Sequence, residues 1–175
     1  VKKAKGGLPV SLWETYSAFA NCYGGVIVLG AEENKDGSWY MTGLNNVAKL
    51  QKDFWDTINN KNKVSVNLLK DSDIETYEEN GNVIMIIYVP KVKRELKPVY
   101  VNGDMFNGTF RRNWEGDYRC DRSEVLAMLR DQPEETADMK VLQNMSIDVL
   151  NVETVRAYRN RHMAYRTRAC MGKIK

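Results

Sequence analysis

The segment 11–30, SLWETYSAFANCYGGVIVLG, constrains the fold more than any other part of the chain. Its first half predicts an amphipathic helix, because apolar residues recur at the spacing of one helical face; they are Leu12, Trp13, Tyr16, Phe19 and Ala20. Ser11 is predicted to cap this helix, with Glu14 completing a capping box. Asn21 and the pair Gly24-Gly25 are expected to end it. Residues 26–29 then form a continuous apolar run, which is typical of a strand covered on both faces.

Turn signals and periodicity predict further elements up to residue 130. Short strands are expected at 39–41, 64–69, 74–79, 83–89, 99–101 and 109–112. Helices are expected within 45–60, capped by Asn45 or Asn46, and from Asp121 or Ser123 to Arg130. The order of elements predicts an α+β fold with a mixed β-sheet flanked by helices and a C-terminal helical extension.

Several strings in this region carry a family resemblance. GGLP, SLWETYSAFAN, GGVIVLGAEE and GSWYMTGL closely resemble the Schlafen AlbA-type domain, a family also called divergent AAA that is common in bacterial transcriptional regulators. VIMIIYVP, KPVYV and GTFRR resemble later strands of the same family. The resemblance covers residues 2–130 and implies a mixed α/β fold that binds nucleic acid. It does not by itself supply a mechanism.

Composition divides the chain into three parts. Residues 1–131 are expected to form the Schlafen AlbA-type nucleic-acid-binding domain, and residues 132–150 a linker, since 134–138 are acidic and lack large apolar side chains. Residues 151–175 are expected to form a basic helical extension that begins a longer region, because the family domain is usually one module of a longer chain. This extension holds seven basic residues against one acid, so the positive charge of the chain lies there.

Local clusters of basic residues are therefore needed to predict a nucleic-acid surface on the main domain. One cluster precedes the first helix, and a second flanks Trp114 and Tyr118, where basic residues interleaved with aromatic ones suit phosphate contacts and base stacking. The candidate contacts are Lys2, Lys3, Lys5, Arg111, Arg112 and Arg119. Each cluster alone is also explained as a solvated surface, and the resemblance favours their convergence on one face. The arginine-rich tail is an open alternative that binds either phosphate or an acidic neighbour.

The glycine turn has two interpretations. Asn21 either has a structural role, in which it caps the helix or bonds neighbouring turn amides, or its amide faces a ligand in the groove beside the glycine turn of Gly24 and Gly25. A phosphate-binding loop is not expected, because Gly30 precedes Ala31 and Glu32 rather than a lysine followed by a hydroxyl residue. Without those two side chains nothing holds the β- and γ-phosphates or magnesium. No cofactor is predicted.

No catalytic residue or metal ligand is assigned from the sequence. The resemblance places two nuclease carboxylates just before the first helix. In this chain that segment reads VKKAKGG and contains no acidic residue. His162 lies in the tail, so no hydroxyl or thiol of the main domain has a histidine base there. A metal-dependent nuclease with part of its acidic site outside this chain stays an alternative. The second alternative is a non-catalytic module for dimerisation or interaction.

Nucleic acid, with DNA expected ahead of RNA, is thus the predicted partner of a transcriptional regulator domain, and homodimerisation is a further expectation. No apolar run approaches the ~20 residues that a membrane helix needs. Cys22, Cys120 and Cys170 are too scattered for a disulfide framework or a zinc site, which favours a reducing cytoplasm.

Overall fold

The computed structural model describes residues 1–4, 6–132 and 151–171. The chain divides into two units, Val1–Glu134 and Glu135–Lys175. The predictions on Lys5, on most of the linker and on the side chain of His162 lie outside the described residues. The predicted domain boundaries at 131 and 150 stay predictions.

The first unit contains both helices and short antiparallel strands, which confirms the predicted α+β class. The helices are α1 (Ser11–Asn21), α2 (Val47–Ile58), α3 (Met105–Gly108) and α4 (Arg122–Arg130), and 3-10 turns lie at Asp71–Asp73 and Arg94–Leu96. The strands are β1 (Gly25–Leu29), β2 (Ala31–Glu33), β3 (Trp39–Met41), β4 (Ile74–Glu79), β5 (Asn82–Val89), β6 (Phe110–Asn113) and β7 (Gly116–Arg119).

The main sheet is antiparallel in the order β1-β5-β4, with Gly25 opposite Val89 and Leu29 opposite Met85. Lys2 adds a parallel bridge to Leu29, so the edge beside β1 is mixed. The pairs β2–β3 and β6–β7 form separate hairpins. The core lies where α1 and α2 cover the inner face of the main sheet; its large buried side chains include Leu12, Tyr16, Leu29, Phe54, Ile58, Met85 and Ile87.

A buried tyrosine ties α1 to the segment after α2. The Tyr16 hydroxyl donates to the carbonyl of Val66 at 3.0 Å and accepts from the amide of Leu68 at 2.9 Å. Burial raises the pKa of Tyr16 to about 12. Residues 64–69 are predicted as a strand, but they form no strand ladder in the structure. Within this segment only Val64 makes a bridge, an isolated one to Val101. That prediction was wrong because the Tyr16 side chain satisfies the backbone there.

Other predictions also need correction, among them the strand at 99–101, where Tyr100 and Val101 make only isolated bridges. Val10, not Ser11, occupies the N-cap of α1, without a side-chain cap; the Ser11 hydroxyl instead accepts from the Lys2 ammonium at 2.9 Å. Strand β1 is not covered on both faces, since Val26 is 50% exposed, as expected when an antiparallel sheet buries one side. Strand β7 was missed, because GDYR lacks alternating apolar residues.

The predicted caps of two helices, α2 and α4, are confirmed. The side chain of Asn46 accepts from the amide of Lys49, and Asp121 forms a capping box with Glu124. In the second unit, α5 spans Val152–Met171, and the Asn151 side chain accepts from two amides of its first turn. Its residues 151–161 are exposed. Among the described helices, none has the length and apolar character needed to cross a membrane.

Candidate nucleic-acid interface

Two of the predicted basic residues, Lys2 and Arg112, line one cleft of about 460 Å³. They come from opposite ends of the resembling region, and the fold brings them together because Lys2 pairs with the β1 edge while β6 packs against α1. The wall of α1 contributes Thr15 and Phe19. The cleft also holds carboxylates, which are Glu33, Glu115 and Asp117. It is therefore a site of mixed charge rather than a purely basic groove.

Arg112 is held in place by contacts on both its backbone and its side chain. Its guanidinium lies 5.3 Å from the centre of the Phe19 ring and pairs with Asp117, directly opposite on β7, at 2.9 Å. The other oxygen of Asp117 accepts from the Thr15 hydroxyl at 2.5 Å. The Arg112 amide donates to the Cys22 sulfur at 3.2 Å. These contacts orient the guanidinium towards the cleft before any ligand arrives.

Lys2 is fixed through its backbone, and its ammonium donates to the Ser11 hydroxyl at 2.9 Å. Its amide donates to the Val28 carbonyl at 2.8 Å, and its carbonyl accepts from the Gly30 amide at 3.0 Å. Burial lowers the pKa of Lys2, and the Arg112 charge lowers it further, while Asp117 and Glu14 oppose this. An anion in the cleft would stabilise the charged form of Lys2.

The other predicted basic residues do not line this cleft. Lys3 pairs with Glu32 at 2.6 Å, which raises the pKa of Lys3. Arg111 pairs with Glu124 of α4 at 2.9 Å, on the opposite face of β6 from Arg112, because neighbouring residues of a strand point to opposite sides. Arg119 lies 5.9 Å from the centre of the Phe110 ring. The structure thus brings together only Lys2 and Arg112 of the described candidates, and the wider nucleic-acid surface stays a prediction.

Close packing accounts for the glycine turn. Gly24 has a φ of 77°, its amide donates to the Phe19 carbonyl at 2.8 Å, and a Cβ there would lie 2.7 Å from the Val89 carbonyl. A Cβ at Gly25 would lie 2.5 Å from the Phe19 ring. The Asn21 side chain is buried and bonds the backbone of Val99, so its amide faces the interior. The assignment of Asn21, Gly24 and Gly25 to a ligand groove stays a prediction without support from this packing.

Two exposed aromatic residues near the cleft had weak or no sequence signals. Tyr23 is 87% exposed in the turn after α1, with the Lys91 ammonium 5.7 Å from its ring centre. Trp114 is 90% exposed in the loop between β6 and β7. The arginines near Trp114 in the sequence indicated that its ring could contact nucleic acid. Tyr23 lies in a segment whose sequence indicated only a turn, and no neighbouring residue indicated a binding role for its ring.

The carboxylates of the cleft do not form a metal site. Across the described residues, no three histidine, cysteine or acidic side chains are grouped closely enough to hold a metal ion. Asp117 is moreover engaged by Arg112 and Thr15. The residues that the structure describes therefore do not fit a bound metal ion.

Comparison with known proteins places the chain in a family. Residues 2–121 match the family model described as Schlafen, AlbA_2, and residues 126–172 match a domain of unknown function, DUF8451. No curated protein matches the chain significantly.

Two solved structures are similar. The N-terminal domain of an ATP-dependent DNA helicase RecG-related protein from Nitrosomonas europaea is 27% identical, with a TM-score of 0.49 over 67% of this chain and 80% of that one. The DIP2311 protein from Corynebacterium diphtheriae is 20% identical, with a TM-score of 0.48 over 75% of this chain and 21% of that one. The family match alone spans more than half of the sequence, and the chain therefore belongs to the Schlafen AlbA_2 family.

Proposed function

We propose that this chain is the nucleic-acid-binding module of a cytoplasmic bacterial transcriptional regulator and that it contacts mainly backbone phosphates, of DNA ahead of RNA. The observation that carries this proposal is the convergence of Lys2 and Arg112 on one cleft. Membership of the Schlafen AlbA_2 family supports it.

The charges of the cleft favour a phosphate over a neutral ligand. Burial lowers the pKa of Lys2, and a phosphate oxygen in the cleft would favour the charged form of its ammonium. Arg112 has donors beyond the one engaged by Asp117, since a guanidinium carries five N–H groups. Glu33 and Glu115 repel the rest of the strand, which limits affinity. Phosphate contacts carry no sequence information, so we expect weak sequence specificity.

The salt dependence of binding tests this proposal. The fluorescence anisotropy of a labelled DNA is titrated with the protein at several salt concentrations, and RNA is the competitor. Lys2→Gln and Arg112→Gln should each lower the slope of log K against log salt by about 1. Lys52→Gln is the matched control, because Lys52 is exposed on α2 and is not among the cleft residues. Unchanged slopes in both cleft variants would contradict phosphate binding there.

The arginine-rich helix α5 is tested in the same assay. A variant with Arg156, Arg159 and Arg161 changed to Gln keeps the cleft intact. If it loses all affinity while the cleft variants keep theirs, α5 rather than the cleft is the binding element. Cleavage of the labelled strand in Mg²⁺ or Mn²⁺ would instead favour the nuclease alternative.

Self-association is a second candidate function, favoured by the outer face of the main sheet. Val26 lies directly opposite Tyr88 there, and Tyr77 of β4 is also exposed. Burying this apolar surface against a second copy would stabilise a homodimer. Sedimentation equilibrium should then show a dimer that Tyr77→Lys converts to a monomer; Tyr77 is 51% exposed and does not line the cleft. A wild-type monomer at all concentrations would contradict it.

A further inference from the structure

Trp114 occupies a position that neither packing nor backbone geometry explains. It is the first residue of the two-residue loop between Asn113 and Gly116, which face each other in the β6–β7 hairpin. Its φ is 54°, a region in which glycine is preferred and a bulky side chain is strained. Its ring is also 90% exposed, so the indole gains little from burial in the domain. Strain of this kind is a starting point for a functional hypothesis.

A second exposed ring lies nearby. Tyr23 is 87% exposed, and the Lys91 ammonium lies 5.7 Å from its ring centre. The contact between the Cys22 sulfur and the Arg112 amide joins the turn that carries Tyr23 to the strand that leads to Trp114. From this contact and standard chain geometry, the Cα atoms of Tyr23 and Trp114 are at most about 19 Å apart.

We infer that Trp114 and Tyr23 stack on unpaired bases, so that the preferred substrate class is single-stranded nucleic acid. This inference rests on the proposed function, because Lys2 and Arg112 of the cleft and Lys91 beside Tyr23 would hold the phosphates between the stacked bases. Every base has a π-face, and a solvated aromatic ring next to cations is the arrangement by which proteins bind single strands. In a duplex these faces are already covered by neighbouring bases, so stacking on Trp114 selects unpaired ones.

The test compares a labelled oligothymidylate, the corresponding oligouridylate and a DNA duplex of equal length in the anisotropy assay. The wild-type chain should bind the single strands more tightly than the duplex. Trp114→Ala should weaken single-strand binding about five- to hundredfold. The salt slope should stay unchanged in this variant, because stacking releases no counterions. Trp114→Phe should restore most of the affinity.

Trp39→Ala is the matched control, because Trp39 is an exposed tryptophan, 57% exposed, on the β2–β3 hairpin; it does not itself line the cleft, although Glu33 opposite it does. It should leave single-strand affinity unchanged. Tryptophan fluorescence gives a second readout: saturating oligothymidylate should quench emission in the wild type and in Trp39→Phe, but much less in Trp114→Phe.

The outcomes separate this inference from the proposed function. Salt-dependent binding that responds to Lys2→Gln and Arg112→Gln but not to Trp114→Ala would overturn base stacking and leave phosphate binding standing. Equal loss of duplex and single-strand affinity in Trp114→Ala would also overturn the selection of unpaired bases. Absence of any binding by the wild-type chain would overturn both proposals.

Discussion

Asn21 bonds both backbone groups of Val99, accepting from its amide at 2.8 Å and donating to its carbonyl at 2.8 Å. The same amide nitrogen donates to the Phe110 carbonyl at 3.0 Å. Ser17, one turn earlier, donates to the Val99 carbonyl at 2.7 Å and accepts from the Phe110 amide at 3.0 Å. Two polar side chains of α1 thus hold β6, the strand that carries Arg112, against the helix.

The first prediction concerns this contact. Asn21→Asp replaces the donor that faces the Val99 and Phe110 carbonyls with a carboxylate oxygen, in a side chain only 3% exposed. We expect the free energy of unfolding, measured in urea, to fall by about 3 kcal/mol or more. Asn60→Asp is the control, because the Asn60 side chain is exposed and its oxygen accepts from the Asn62 amide, a bond that a carboxylate keeps, so the stability should change little. Equal stability of the two variants would contradict the structural role of Asn21.

The contact between Gly25 and Phe19 gives a second prediction. Gly25→Ala places a methyl group 2.5 Å from the Phe19 ring and should cost about 1–3 kcal/mol through overpacking. Phe19→Leu should cost less in that background than in the wild type, since the smaller side chain leaves room for the methyl group. A double-mutant cycle measures this coupling.

Gly6→Ala is the control for the packing argument, because no atom lies within 4 Å of a Cβ built there. It should show no coupling to Phe19→Leu. Additive effects of Gly25→Ala and Phe19→Leu would mean that the ring does not rest on Gly25.

The glycine turn should not bind ATP. The Gly24 amide already donates to the Phe19 carbonyl, and the turn is packed against Val89, so it has no free cradle for phosphate oxygens. Calorimetric titration with ATP and magnesium should give the same heats for the wild type and for Gly25→Ala, because no nucleotide binds at the glycine turn. A micromolar Kd that Gly25→Ala abolishes would contradict this expectation.

Local signals predicted the elements whose stability is decided locally. Helix α1 follows from the spacing of its apolar residues, and the start of α2 follows from the side-chain cap at Asn46. The hairpin before β5 follows from the pair Asn80-Gly81, which adopts positive φ at both positions. Strand β7 escaped prediction because tertiary contacts hold it, with Asp117 bonded to both Arg112 and Thr15.

The site was harder to predict than the fold because it depends on which face each residue occupies. Lys2 reaches the cleft through a parallel bridge to β1 that no local pattern indicates. Arg111 and Arg112 are adjacent in sequence, yet one pairs with Glu124 and the other lines the cleft, since strand neighbours point apart. Basic residues that are adjacent in sequence therefore need not line the same cleft.

Acid should destabilise the cap of α4. The Ser123 hydroxyl and the Glu124 amide both donate to Asp121, which holds the pKa of Asp121 below its usual value. Because the folded-state pKa is depressed, the stabilisation is present above the unfolded-state pKa and is lost as the pH falls through the folded-state value. Asp121→Asn keeps an acceptor for the cap but cannot be protonated.

Thermal melts at about pH 6 and about pH 3 measure this effect. Between these two pH values, the Tm of the wild type should fall further than the Tm of Asp121→Asn. A smaller acid sensitivity remains in the variant, because hydrogen bonds from Asn107 also hold the pKa of Asp104 low. Identical losses in the two proteins would contradict a contribution from the Asp121 charge.

The last prediction separates stability from binding at Trp114. Because its φ of 54° strains any bulky residue, Trp114→Gly should raise the free energy of unfolding, by about 1 kcal/mol, even though it removes a large side chain. Glu115→Gly, at the other loop residue, is the control and should give no such gain, because Glu115 is not among the non-glycine residues with positive φ. Urea unfolding measures both. If Trp114→Gly is instead destabilising, the indole supports the fold, and the argument that its exposure serves base stacking fails. A gain in stability together with a loss of single-strand affinity would show that the loop keeps a strained residue for the sake of binding.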